Sequence, residues 1–229
     1  MSTPENDADS APVIVRSARR RRIAFTIRPE DGRLTVLAPL RVTESEIARI
    51  LERNRSIVER LRIRFEQAES RRRPLSFTEG SPFLLLGKPY PLHLTCRVLA
   101  FEEGFYVPAG DEPSIRGHIE TLYRHLAAEL LERKVRETAG RFHLTFRRIR
   151  ISGASGRWGS CSRDGSLNFS WRLILWPEPV VDYVVVHELA HLLELNHSDR
   201  FWREVARMCP EYRRHDRFLR DHVPEFSVW

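Results

Sequence analysis

Near the start of the chain, Ile23, Phe25 and Ile27 alternate with polar neighbours, and Leu34 and Val36 resume the alternation beyond Asp31-Gly32. That pattern predicts a β-hairpin about the Asp-Gly turn. Thr43 and Glu46, three positions apart, form a capping box, and Ile47, Ile50, Leu51, Val58, Leu61 and Phe65 follow at helical spacing. One long amphipathic helix to about Gln67 is predicted, with a break from Arg71 to Pro74. Short strands are predicted at Phe83 to Leu86, Leu92 to Thr95 and Phe105 to Val107, because Gly87-Lys88 and Glu103-Gly104 punctuate those apolar runs.

A second long helix is predicted from Pro113-Ser114 to Gly140, with Ile115, Ile119, Leu122, Leu126 and Leu130 as its buried stripe. Phe146, Ile149 and Ile151 suggest a strand leading into a loop of small residues, Ser152 to Ser162. Leu167, Phe169 and Trp171 then alternate beyond Asp164-Gly165 as a further hairpin arm. Pro177 and Pro179 open a helical segment, where proline in the first turn costs nothing. A β-rich first half, a helix, a small sheet and paired helices give an α+β class. The division read from this order is a tail over residues 1–12, a β-rich region with a long helix over 13–108, and a catalytic domain over 109–229.

The net charge of +7 is almost all arginine, Lys88 and Lys134 being the only lysines. The runs Arg19 to Arg22 and Arg71 to Arg73 read as solvated faces, so nucleic acid is a lesser candidate partner than phosphate-bearing ligands in general. No apolar stretch is long enough to span a bilayer, and the acidic, polar start lacks the pattern of a secretory signal. Cys96, Cys161 and Cys209 are odd in number and without framework spacing, which fits a reducing compartment. The reading is a soluble, cytoplasmic protein.

The chemistry concentrates in Val185-Val186-His187-Glu188-Leu189-Ala190-His191. Histidines four apart on a helix share a face and can reach one ion, while the glutamate after the first can contact metal-bound water without displacing it. A catalytic zinc needs a third protein ligand and an open fourth position. Glu194 and His197 compete for that place. Seven residues of continuous helix span ~10.5 Å and carry Glu194 past the ion. A turn at Asn196, taken as left-handed, with Ser198 or Asp199 capping a following helix, folds His197 back, so His197 is preferred. The histidine spacing equals that of the metzincin signature, with Glu194 where that signature has glycine. Met208 reads as core packing rather than as the methionine of their turn.

Arg157-Trp158-Gly159-Ser160-Cys161-Ser162, Leu167-Asn168, Trp171-Arg172-Leu173, the His187 to His191 motif and Asn196 to Trp202 together resemble the YgjP-like metallopeptidases, relatives of the SprT and Wss-type zinc proteases. Arg19 to Ile23, Asp31-Gly32 and Leu86-Gly87-Lys88 extend the resemblance over nearly the whole chain after the tail. It implies a zincin-like domain, one zinc per chain on His187, His191 and His197, and Glu188 as general base. Peptide hydrolysis is the leading expectation, with peptide or protein as partner. The alternatives are pyrophosphate release from nucleoside triphosphates such as UTP, to which one branch of the family has been linked, and a DNA-associated repair-type protease. Arg157, Trp158, Gly159, Ser160 and Asn168 are the candidate substrate cleft. Cys161 reads as a small buried residue rather than a nucleophile or a fourth ligand, since a fourth protein ligand closes a catalytic site.

Overall fold

The hairpin predicted about Asp31-Gly32 forms, with β2 (Ala24–Ile27) antiparallel to β3 (Leu34–Pro39) and Gly32 at φ +67° in the turn. β1 (Val13–Ser17) pairs parallel with the other side of β3, giving the order β1-β3-β2. The structure, a computed structural model, describes residues 11–28, 31–71 and 75–222. The expected tail lies almost wholly outside the described residues, and so do positions 72–74 of the expected break. The chain divides into two compact units, residues 1–73 with 222–229 and residues 74–221.

In the first unit, β3 supplies Val36 and Ala38 to a small core closed by Ile47 of α1 (Glu44–Arg53). The capping box is complete: the Thr43 N–H donates to Glu46 Oε2 at 2.8 Å, and the Glu46 N–H donates to Thr43 Oγ1. The single long helix expected to Gln67 is in fact two. Asn54 turns its side-chain amide onto the Ile50 carbonyl at 2.7 Å and leaves helical geometry at φ −109°, and α2 (Arg55–Arg71) starts afresh. A short amide side chain competing for a helix carbonyl is the physical cause. Gly32 abuts α2: a Cβ there would lie 2.9 Å from the Phe65 ring.

The second unit opens with β4 (Pro82–Leu85), β5 (Lys88–Thr95), β6 (Ala100–Phe101) and β7 (Phe105–Pro108) in the order β4-β5-β7-β6; the two-residue β6 carries no pattern of its own in the sequence. α3 (Glu112–Arg141), capped by Asp111, buries Ile115, Ile119 and Leu122 as predicted. Beyond Leu122 the buried line passes through Tyr123, Ala127, Leu131 and Val135, because 3.6-residue periodicity drifts one position, and Leu126 and Leu130 flank it half-buried. Tyr123 stacks on Trp171 with centroids 5.4 Å apart and meets Phe105 at a tilt at 4.9 Å, and its hydroxyl donates to the Leu84 carbonyl at 2.6 Å. The boundary expected at residue 108 therefore falls inside this unit, within one aromatic core.

The remaining sheet consists of β8 (Arg148–Ser152), β9 (Gly159–Cys161) and β10 (Ser166–Ser170) in the order β8-β10-β9. Trp171, expected to continue the strand, instead begins a 3₁₀ turn, Trp171–Leu175, on which the tip of the β4–β5 hairpin rests through Leu86 N–H to the Ile174 carbonyl at 2.7 Å. Three helices follow: α4 (Glu178–Ala190), α5 (Asp199–Met208) and α6 (Tyr212–His222). Lys134 of α3, 7% exposed, donates to Glu178 at 2.7 Å and Asp182 at 2.6 Å and so fixes the start of α4. Burial acts against its charge, but the two carboxylates raise its pKa overall. The class is α+β, with a first-third-second strand order in both three-stranded sheets that the β5-β7-β6 part of the four-stranded sheet repeats. No helix among the described residues is long and apolar enough to cross a membrane.

Candidate metal centre

α4 is buried on nearly every side, with Val180, Val181, Val184, Val185, Val186 and Leu189 all within the core. It ends at Ala190, so His191 is its cap, at φ −67° and ψ −15°. The apolar pattern of Leu192, Leu193 and Leu195 does not prolong the helix, and Leu195 is 48% exposed. The Leu193 and Glu194 N–H groups both return to the Ala190 carbonyl at 3.0 Å, so the chain tightens and turns where polar residues replace the apolar run. Asn196 is not left-handed as expected; among the described residues only Leu86 and His143 hold positive φ without being glycine. Ser198 is the N-cap of α5, accepting from the Phe201 N–H.

This turn brings His197 onto the two helical histidines. His187 Nε2 and His197 Nε2 are 3.0 Å apart, and one ligand nitrogen from each of the three residues lies within 4.8 Å of the others. Two bonds of ~2.0–2.1 Å at a tetrahedral angle place their nitrogens roughly 3.3–3.4 Å apart, so the His187–His197 pair is already near the spacing a small divalent ion requires. The Glu194 carbonyl oxygen accepts from His191 Nδ1 at 3.1 Å, which leaves His191 Nε2 with its lone pair for the ion. Glu194 thus contributes its backbone here, the carbonyl and not the carboxylate meeting the ring. His187 Nδ1 is buried and has no hydrogen-bond partner among the described residues. Burial, with the two neighbouring imidazoles, lowers the His187 pKa to about 3, and burial lowers that of His191 too. Both rings are neutral near pH 7, as ligands must be.

Phe201 was not singled out in the sequence, although it lies four residues after His197 on the first turn of α5. Fully buried, it meets all three ligand rings, at 5.0 Å from His187, 4.5 Å from His191 and 4.7 Å from His197. Met208, 7% exposed on α5, is a core residue.

Glu188 is 6% exposed, and its side chain lies directly against the β9 backbone. A Cβ on Gly159 would stand 2.6 Å from Glu188 Cγ and 2.7 Å from Oε1, so only glycine leaves room for this carboxylate. Burial raises the Glu188 pKa to about 8, and the charge of Arg157 partly offsets this. A divalent cation on the triad would lower it further. Ser170 N–H donates to the Trp158 carbonyl and Ser162 N–H to the Ser166 carbonyl. With Ser160 opposite Asn168, the alternation of an antiparallel ladder turns the N–H and C=O groups of Gly159 and Cys161 away from β10, toward the outer edge of the sheet.

The other candidate cleft residues separate. Trp158 meets Trp176 edge-to-face at 5.3 Å and is a packing residue. Ser160 and Asn168 share the sheet face opposite that of Gly159, and the Asn168 amide donates to Ser152 Oγ at 3.2 Å. Arg157 is exposed. Cys161 is half-buried, and burial together with the charges of Glu188 and Asp164 pushes its thiol up to about 11, away from nucleophilic thiolate chemistry.

A sequence model of the family described as YgjP-like, metallopeptidase domain, matches residues 21–222. The chain belongs to this family. Among solved structures, the crystal structure of the metallopeptidase zymogen of Pyrococcus abyssi abylysin is 25% identical over 39% of this chain and 92% of its own, with a TM-score of 0.36. No curated protein matches the chain. YgjP-like membership implies a metal, and the three histidines are the group among the described residues able to hold one.

Proposed function

We propose that this YgjP-like domain is a zinc-dependent peptidase in which His187, His191 and His197 hold one ion and Glu188 is the general base. The observation that carries the reading is the convergence of three imidazoles, their ligand nitrogens within 4.8 Å, one residue away from a buried carboxylate. Three nitrogen donors with an open fourth position suit zinc, which when bound lowers the pKa of water toward ~7 and polarises a carbonyl. Glu188 takes the proton of the attacking water and passes it to the departing amine. The β9 backbone beside it confines that carboxylate to a narrow range of positions. The outward N–H and C=O groups of Gly159 and Cys161 can receive an extended peptide as an added strand, which favours a polypeptide substrate. Arg157 faces the charge of Glu188 and is available to an oxygen bearing developing negative charge.

Metal analysis of the wild type beside His197→Ala tests the ligand set: one zinc per chain, lost or greatly weakened in the variant, is expected. Glu188→Gln should keep the zinc and lose peptide hydrolysis; full activity in that variant excludes Glu188 as base.

A second reading, nucleoside triphosphate pyrophosphohydrolysis, is favoured by one observation. Residues 141–172, which supply the sheet beside Glu188, contain seven arginines and one acidic residue. Incubation with UTP separates it, since no pyrophosphate above the Glu188→Gln background rules it out. A DNA-associated role for the same peptidase rests on the 17 arginines against 11 acidic residues in residues 1–73. DNA affinity that falls steeply with salt is its signature.

A further inference from the structure

Beside the histidine triad, between the β9–β10 hairpin and the turn after α4, lies a cavity of about 450 Å³ whose lining includes His191, Ser162, Arg163, Asp164, Leu193 and Leu195. Its two charged residues differ in what they have left to offer. Asp164 is saturated: it accepts from Ser162 Oγ at 2.5 Å and from the Ser166 N–H and Oγ at 3.2 and 3.0 Å, and it pairs with Arg147. Those donors hold its carboxyl well below the usual range. Arg163, the next residue back, is exposed and makes no ion pair or hydrogen bond among the described residues. Leu193 and Leu195 stand 42% and 48% exposed at the same cavity. The surrounding segment is poor in acid, as its seven arginines against one acidic residue show. A guanidinium without a partner, in a partly enclosed space shared with a metal-ligand candidate, is matched by a planar anion it can grip with two N–H groups.

We propose that this cavity is a substrate subsite for a carboxylate, with Arg163 as the residue that selects it and Leu193 and Leu195 covering the aliphatic stem that carries it. The proposal rests on the peptidase reading of the adjacent centre. An aspartate or glutamate side chain near the scissile bond and a free C-terminus present the same group, and the experiment separates them.

Three fluorescein-labelled hexapeptides serve as probes: one with a central Glu and an amidated C-terminus, one with Gln in its place and amidated, and one with Gln and a free C-terminus. Binding is read by anisotropy at low salt on the full chain carrying Glu188→Gln, so that nothing is turned over, with and without Arg163→Gln. One of the two carboxylate peptides should bind about two- to fivefold more tightly than the neutral peptide. Arg163→Gln should remove that difference and leave neutral-peptide affinity and melting temperature unchanged. Preference for the Glu peptide assigns the site to an acidic side chain, and preference for the free C-terminus assigns it to a terminal carboxylate. Equal binding of all three peptides, a preference that survives Arg163→Gln, or tight UTP binding without peptide discrimination would overturn the proposal. Failure of the zinc-loaded wild type to cut any peptide defeats the peptidase reading instead, and leaves this comparison of affinities readable.

Discussion

The three histidines come from two kinds of ground. His187 and His191 are presented by the last turn of a helix buried on almost every side, whereas His197 sits exposed on the segment between that helix and the next. The buried half owes its geometry to the fold: Val184, Val185 and Leu189 pack into the core, Lys134 fixes the start of the helix, and Gly159 receives Glu188. The exposed half depends on a few local contacts, the returns to Ala190, the Ser198 cap and the edge-on contact of Phe201 with His197. The difference teaches that, in the proposed site, the general base and two ligands are set by the fold, while the third ligand closes the site.

This contrast can be broken or sharpened by substitution. Glu188→Gln touches only the proton-carrying group of the buried half, and peptide turnover should fall about 10²–10⁴-fold with zinc content unchanged. Phe201→Ala removes the ring shared by all three ligands; a loss of about 3–5 kcal/mol in denaturant unfolding is expected, together with weaker zinc retention against a chelator. Gly159→Ala forces the Glu188 side chain off β9. It should cost roughly 1–3 kcal/mol and lower turnover, with a smaller effect on zinc content, because the clash lies on the carboxylate and not on the histidines. Ser198→Ala strips the cap that starts α5; about 1 kcal/mol of stability should go, and zinc affinity with it. The smallest effect sharpens the contrast most. His197→Ala should leave the metal-free protein within about 0.5 kcal/mol of wild type while abolishing tight zinc binding, since the ring is exposed. If His197→Ala lowers metal-free stability as much as Phe201→Ala does, the division into a set half and a closing half is wrong.

How much of this was legible in the sequence follows the same line. The convergence of the three histidines could be read because four-residue spacing on one helix face is a local property, and because His197 lies only six residues beyond His191. The Thr43–Glu46 box, the Gly32 hairpin and the long α3 were legible for the same reason. The interruption at Asn54 and the early end of α4 were not, since apolar periodicity carries on across both and the decision lies in a few competing hydrogen bonds. Gly159 could be named as a cleft residue, but not as the position whose missing side chain admits Glu188, because that contact joins residues 29 apart. Phe201 was hidden in plain view: nothing in a phenylalanine on an amphipathic helix distinguishes one that packs on ligands from one that packs on leucines. Parallel pairing of β1 with β3, β5 with β7 and β8 with β10 leaves no trace in the alternation of any single strand.

That recurring strand order bears on how the chain assembles. Each sheet is complete within fewer than about thirty residues of sequence, from Val13 to Pro39, Pro82 to Pro108 and Arg148 to Ser170. Short closures cost little loop entropy, and rates of folding rise as contacts become more local. Even the parallel pairs, ordinarily slow to find one another, are joined here by a hairpin's length of chain. The strand pairing of each sheet is therefore settled by local chain alone, and that of β8 with β10 uses no residue of the helix that carries His187 and His191.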